Sequence, residues 1–127
     1  MNKLEHFSMD FHVETTPKLL FTLISTPEGL TRWFATTMQK GEDVFVFQWP
    51  GYDQEVKMVQ VKENEYVIFK WLDDYHKDLD LEMRIESEPN TSGVTLVIND
   101  VAELGDVDIS KRLWESQVGK LQRLFNK

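Results

Sequence analysis

Residues 15–34, TTPKLLFTLISTPEGLTRWF, constrain this chain more than any other stretch, because they hold two helix starts only ten residues apart. Thr16-Pro17 and Thr26-Pro27 each place a hydroxyl where it accepts a hydrogen bond from a free first-turn amide. The proline that follows lacks an N–H at a position where none is needed. The spacing leaves each helix about two turns. Leu19, Leu20, Leu23 and Ile24 recur at helical spacing, with Lys18, Thr22 and Ser25 left for solvent.

The rest of the chain reads as strands and one long helix. Phe7, Met9, Phe11 and Val13 alternate with His6, Ser8, Asp10 and His12, the period of a strand with one buried face. After Phe34 the chain turns polar, and Gly41-Glu42-Asp43 reads as a turn into Val44–Trp49, where apolar residues fall on both faces. Pro50-Gly51 and Asp53 mark the next turn. Gln54–Val61 then carries Val56 and Met58 on one side and Val59 and Val61 on the other. Residues 62–65 connect it to Tyr66–Leu72, which the acidic run 73–78 closes. Leu79, Leu81, Met83 and Ile85 alternate with Asp80, Glu82, Arg84 and Glu86, so one side of that strand faces water. A turn at 89–93 leads into Val94, Leu96 and Ile98 and completes an antiparallel meander. From Asp106 or Asp108, each a candidate cap, Val107, Trp114, Val118, Leu121 and Phe125 mark one helix stripe, which Ile109, Leu113 and Leu124 broaden. The expected fold is α+β: a curved antiparallel sheet of about six or seven strands gripping a long C-terminal helix, with two short helices after the first strand. A twisted sheet and a straight helix cannot touch along their whole length, so large side chains or a ligand must fill the gap.

Composition narrows the function classes. A chain of 127 residues fits one domain, 1–127. No apolar run approaches the roughly 20 residues that span a bilayer, so membrane insertion is not expected. The first eleven residues lack the apolar centre of a secretory signal, and the absence of cysteine removes disulfides and thiolate chemistry; a cytoplasmic protein is expected. A net charge of −8 disfavours nucleic acid, whose binding depends on neutralising phosphates. Nothing in the sequence fixes an oligomeric state.

Three segments resemble a known family: Thr26-Pro27-Glu28-Gly29-Leu30 with Trp33-Phe34, then Val67-Ile68-Phe69-Lys70-Trp71, then the helix WESQVGKLQRL from Trp114 to Leu124. Together they resemble the START-like superfamily, also called Bet v 1-like or SRPBCC. Within it they are most similar to the group named for the C-terminal domain of the activator of heat-shock protein 90 ATPase. The resemblance implies a cavity between sheet and C-terminal helix. Members bind lipids, sterols, polyketides or hormones, a few catalyse cyclisation or hydrolysis, and the name-giving domain stimulates a chaperone. Relatives often carry glycine before the helical tryptophan, where this chain has Leu113, a bulkier residue at the expected cavity mouth.

Trp33, Phe34, Phe47, Trp49, Met58, Phe69, Trp71, Met83 and Trp114 are the expected cavity lining, since aromatic and thioether groups give apolar contact that tolerates varied ligands. The plainer alternative is that they only pack a core. Tyr52, Tyr66 and Tyr75 are weaker candidates to orient a ligand; Arg32 and Arg84 suit a carboxylate, but Arg84 falls on the water-facing side among acids. His76, in DDYHKD, fits no metal spacing, and His6 and His12 lie on the polar side of the first strand. No catalytic motif, cofactor or metal site is legible. The expected function is therefore non-enzymatic binding of a hydrophobic or amphipathic small molecule. The alternatives are a co-chaperone-like module with an exposed patch at Trp33-Phe34 and, last, a cavity enzyme, which needs an acid or base among inward faces that carry few.

Overall fold

A computed structural model describes residues 3–72 and 79–125. Tyr75, His76 and the acidic run 73–78 lie outside the described residues. Strand β1 (Leu4–Val13) leads into α1 (Pro17–Ser25) and α2 (Pro27–Thr31). Thr16 Oγ1 accepts the Leu19 amide at 3.3 Å, and Thr26 Oγ1 accepts the Gly29 amide at 3.0 Å. Thr26 also donates to the Thr22 carbonyl at 2.7 Å, so one hydroxyl ends α1 and begins α2. In α1 the buried residues are Leu20, Leu23 and Ile24; Leu19, expected on that stripe, is 55% exposed. The stripe is narrow because only one side of α1 meets β5 and β6 of the sheet below.

That sheet continues with β2 (Thr36–Gln39), β3 (Val44–Trp49), β4 (Tyr52–Lys62), β5 (Tyr66–Trp71), β6 (Asp80–Ser87) and β7 (Val94–Glu103). Among the described residues it has seven strands in the order β1-β7-β6-β5-β4-β3-β2, with every pair antiparallel. The chain thus passes from one edge strand to the other through α1 and α2. The alternation read in β6 holds: Leu81, Met83 and Ile85 are buried and Arg84 is paired outside with Glu82 at 2.6 Å. Inner-face partners run across the sheet as Phe45–Val56–Trp71 and Phe69–Leu81, then Met83–Ile98–Met9. Full burial of each such side chain contributes about 1.5–3 kcal/mol.

Three strand details differ from the alternation. Strand β2 stands where the sequence predicts only a polar connection; its backbone is held by α2, where Thr31 Oγ1 accepts the Thr37 amide at 2.9 Å, and of its side chains only Thr37 is buried. A bulge between Met58 and Gln60 interrupts β4, leaving both Val59 and Val61 exposed. Strand β7 continues past Ile98 to Glu103, which carries its inward-facing row on to Asp100.

Helix α3 (Val107–Arg123) lies over β1 and β7 and buries Trp114, Val118 and Leu121. Its N-cap is Asp106, without a side-chain cap bond, and Asp108 in the first turn favours the positive end of the helix dipole. The broad stripe expected from Ile109, Leu113 and Leu124 is not formed: all three are exposed, and the buried face of α3 narrows to Trp114, Val118 and Leu121, with Val107 and Phe125 packed against the core at its two ends.

Candidate functional site

Between α3 and the β3–β4 hairpin there is a half-open cleft of about 330 Å³. The β3–β4 hairpin forms one wall. Pro50-Gly51 makes its two-residue turn, with Gly51 at a φ of +89° that a side chain would strain, and this sets Trp49 opposite Tyr52 at the cleft mouth. Trp71, at the end of β5, and Asp100 and Val101, near the end of β7, extend the floor. Helix α3 supplies Ser110, Leu113, Trp114 and Gln117, which at steps of three, one and three residues share one side of the helix.

Phe34 joins the walls. Its ring stacks on Trp114 (centroids 5.2 Å, planes 19° apart) and meets Trp49 edge-on (5.3 Å, 80°). Gln117 Nε2 donates to the Phe34 carbonyl at 3.1 Å, tying the segment after α2 to α3. Trp49 Nε1 donates to Gln54 Oε1 at 2.8 Å and Trp114 Nε1 to Asp100 Oδ2 at 3.0 Å. With those N–H groups satisfied by protein, the two indoles present their hydrocarbon surface to the cleft.

The structure brings four of the nine expected lining residues to this cleft: Phe34, Trp49, Trp71 and Trp114. Phe47, Phe69 and Met83 are fully buried in the core, deeper along the same inner face. Met58 packs against that core from its edge without lining the cleft. Trp33 lies behind Phe34, 2% exposed, its indole N–H given to the Leu23 carbonyl at 2.8 Å. Of the weaker candidates, Tyr52 lines the mouth, whereas Tyr66 lies outside the sheet beneath the Arg84 guanidinium, 4.6 Å from its ring centre. Arg32 is exposed as the C-cap of α2. Sequence reasoning missed Asp100, Gln54, Ser110 and Gln117. For Asp100 the signal was present: Val94, Leu96 and Ile98 point inward at every second residue, and the next position is 100.

The opposite end of the sheet carries a polar cluster. His12 Nδ1 lies 2.7 Å from Glu88 Oε1 and Nε2 lies 2.5 Å from Glu14 Oε1. Carboxylates only accept, so the two bonds form together when both ring nitrogens carry a proton. The Glu14 bond, with that to Glu88, raises the His12 pKa. The Ser92 hydroxyl and then His12 lower that of Glu14; the Thr95 hydroxyl, followed by Thr91 and His12, lowers that of Glu88. Because the two glutamates sit on opposite nitrogens, they do not converge on a cation; among the described residues no group of three such ligands does. Nor, among those residues, is any helix long and apolar enough to cross a membrane.

Comparison with known proteins agrees with this architecture. The profile of the START-like superfamily domain matches residues 1–126. The solution structure of the Aha1 dimer from Colwellia psychrerythraea superimposes with a TM-score of 0.79 at 11% identity, over 93% of each chain. A protein from Bacteroides fragilis, also solved in solution, is 30% identical over 96% of this chain and 91% of its own, with a TM-score of 0.65. A crystal structure from Mesorhizobium loti gives a TM-score of 0.75 at 14% identity, covering 96% and 97%. No curated protein is similar to the chain at a significant level. The profile match over nearly all the sequence, and a sheet gripping α3 as that resemblance requires, establish that the chain belongs to the START-like superfamily.

Proposed function

We propose that this protein binds a hydrophobic or amphipathic small molecule, without transforming it, in the cleft between the β3–β4 hairpin and α3. The observation that carries this reading is the lining itself: five aromatic side chains with Leu113 and Val101 around a space of about 330 Å³. Apolar area removed from water there is worth about 25 cal/mol per Å², less the cost of ordering the ligand. Native mass spectrometry of the purified protein, together with titration of an apolar library followed by tryptophan fluorescence, tests it. A discrete adduct or saturable quenching is expected. Absence of both across the library defeats the proposal.

A cavity enzyme is the second reading, and Asp100 favours it, because the cleft does contain one carboxylate. Binding ranks above it since no serine, histidine and acid stand in relay among the described lining residues, and Asp100 already holds the Trp114 N–H. Turnover of a bound ester or polyketide that Asp100→Asn abolishes, with binding retained, reverses the ranking. The co-chaperone-like reading loses the patch expected of it: Trp33 and Phe34 are 2% and 7% exposed.

A further inference from the structure

The sheet ends on one side at β1, whose 10 residues pair only with β7 among the described strands. Strand β2, at the opposite edge, has its backbone held by α2 at Thr37. Along an antiparallel strand, the N–H and C=O of successive residues point alternately to one neighbour and to the other. Two hydrogen bonds settle the phase in β1. The Leu104 amide donates to the Lys3 carbonyl at 2.8 Å, so odd-numbered residues bond to β7. The His12 carbonyl instead accepts Gln122 Nε2 at 2.8 Å from outside that pair. Even-numbered residues therefore turn their backbone groups to the open edge. Gln122 occupies this edge at His12; over 6–10 no hydrogen bond from another described element reaches it, and His6, Ser8 and Asp10 are exposed.

An open edge is a template for another strand, and the order of side chains on β1 says which. We propose that β1 pairs with β1 of a second copy of this chain, antiparallel about a two-fold axis at Ser8. Ser8 then faces the partner's Ser8, His6 the partner's Asp10, and Asp10 the partner's His6. On the outer face each imidazole N–H meets a carboxylate; on the inner face Phe7 meets the partner's Met9, a ring against a thioether. Facing residues are even with even, the set whose backbone groups point outward, so each pair exchanges two hydrogen bonds. An axis at Met9 or Phe7 keeps that parity but sets Asp10 against the partner's Ser8 or the partner's Leu4, and an axis at Asp10 sets two carboxylates together. An axis at Phe11 opposes Asp10 to the partner's His12, whose carbonyl and ring are already taken. None of the facing residues lines the cleft, so the pairing holds with or without a ligand there.

Sedimentation equilibrium of the full chain at neutral pH and low salt provides the test. The mass is expected to rise with concentration from 15.0 kDa towards twice that, and Ser8→Pro or Asp10→Lys to hold it at 15.0 kDa. Ser8→Pro removes only an N–H that faces outward, so the β1–β7 bonds survive it. His6→Asp combined with Asp10→Lys is expected to restore the dimer, which a merely misfolded variant would not do. Because the chain has no cysteine, single introduced thiols report the register. Facing residues stand about 5.5 Å apart between Cα atoms, within reach of a disulfide. Under mild oxidation Ser8→Cys is expected to cross-link to itself and His6→Cys to stay single, while an equal mixture of His6→Cys and Asp10→Cys joins as the mixed dimer. A wild type that stays at 15.0 kDa at every concentration overturns the proposal without recourse to any variant. An association that survives Ser8→Pro or Asp10→Lys, or a self-cross-link at His6→Cys as strong as at Ser8→Cys, overturns it as well.

Discussion

At the scale of single residues, the joint between α1 and α2 turns on Thr26 and Gly29. The Thr26 hydroxyl accepts the Gly29 amide and donates to the Thr22 carbonyl. Thr26→Ala is therefore expected to cost about 1–2 kcal/mol, read from urea denaturation, and Thr26→Ser to recover most of it. Gly29 sits so close under α1 that an added Cβ would lie 2.2 Å from the Thr22 carbonyl oxygen and 2.6 Å from Leu23 Cα, both backbone atoms that cannot swing aside. In an open helix, alanine would be the better residue by about 1 kcal/mol. Here Gly29→Ala should instead destabilise by about 1–3 kcal/mol; a stabilised variant would show that α2 is free to shift. The two Thr-Pro caps were legible because capping needs only local chemistry. The close approach that requires Gly29 was not, since it depends on how α2 folds back on α1.

Among the elements, the strands told which face each residue takes but not how far along the grip it lies. On β3 the inner face carries Phe45, Phe47 and Trp49, and on β5 Val67, Phe69 and Trp71; in each, only the last reaches the cleft. Depth is set by how much of each strand α3 and the short helices cover, a tertiary fact that no alternation encodes. For the same reason β2 went unread: with Thr37 alone buried, its four residues have no hydrophobic period to detect. Helix α3 shows the division within a single element. Leu121, fully buried where the helix meets the core, should cost about 2–5 kcal/mol on replacement by alanine. Leu113, 60% exposed over the cleft, should cost within about 0.5 kcal/mol on the same change. Leu113→Ala is expected to admit bulkier ligands, seen as tighter binding of branched than of linear probes relative to wild type. Equal losses of stability from the two substitutions would contradict the exposure of Leu113 over the cleft.

Across the whole molecule, the grip has a recessed end and a clasped end, and they answer to different variables. Strand β7 joins them, from Val94 beside the polar cluster to Asp100 in the cleft, about 20 Å of extended chain. At the clasped end His12 bridges β1 to the β6–β7 turn, its ring lies against Gly93, and its carbonyl accepts Gln122 Nε2 of α3 at 2.8 Å. Folding raises the His12 pKa above 6.5, so its contribution is complete below that value and disappears as pH rises through the folded pKa. Folding lowers Glu14 and Glu88 below 4.5, so theirs is present above that value and disappears as pH falls through the folded pKa. All three contributions coexist between 4.5 and 6.5. In thermal melts against pH, the gap between wild type and His12→Gln is expected to be widest in that window, to narrow on the alkaline side, and to shrink with added salt because the cluster is half-exposed. Ligand uptake at the far cleft should be the same in both proteins. A gap independent of pH and salt would instead mean that His12 acts by packing on Gly93, with the charge of its ring immaterial to the clasp.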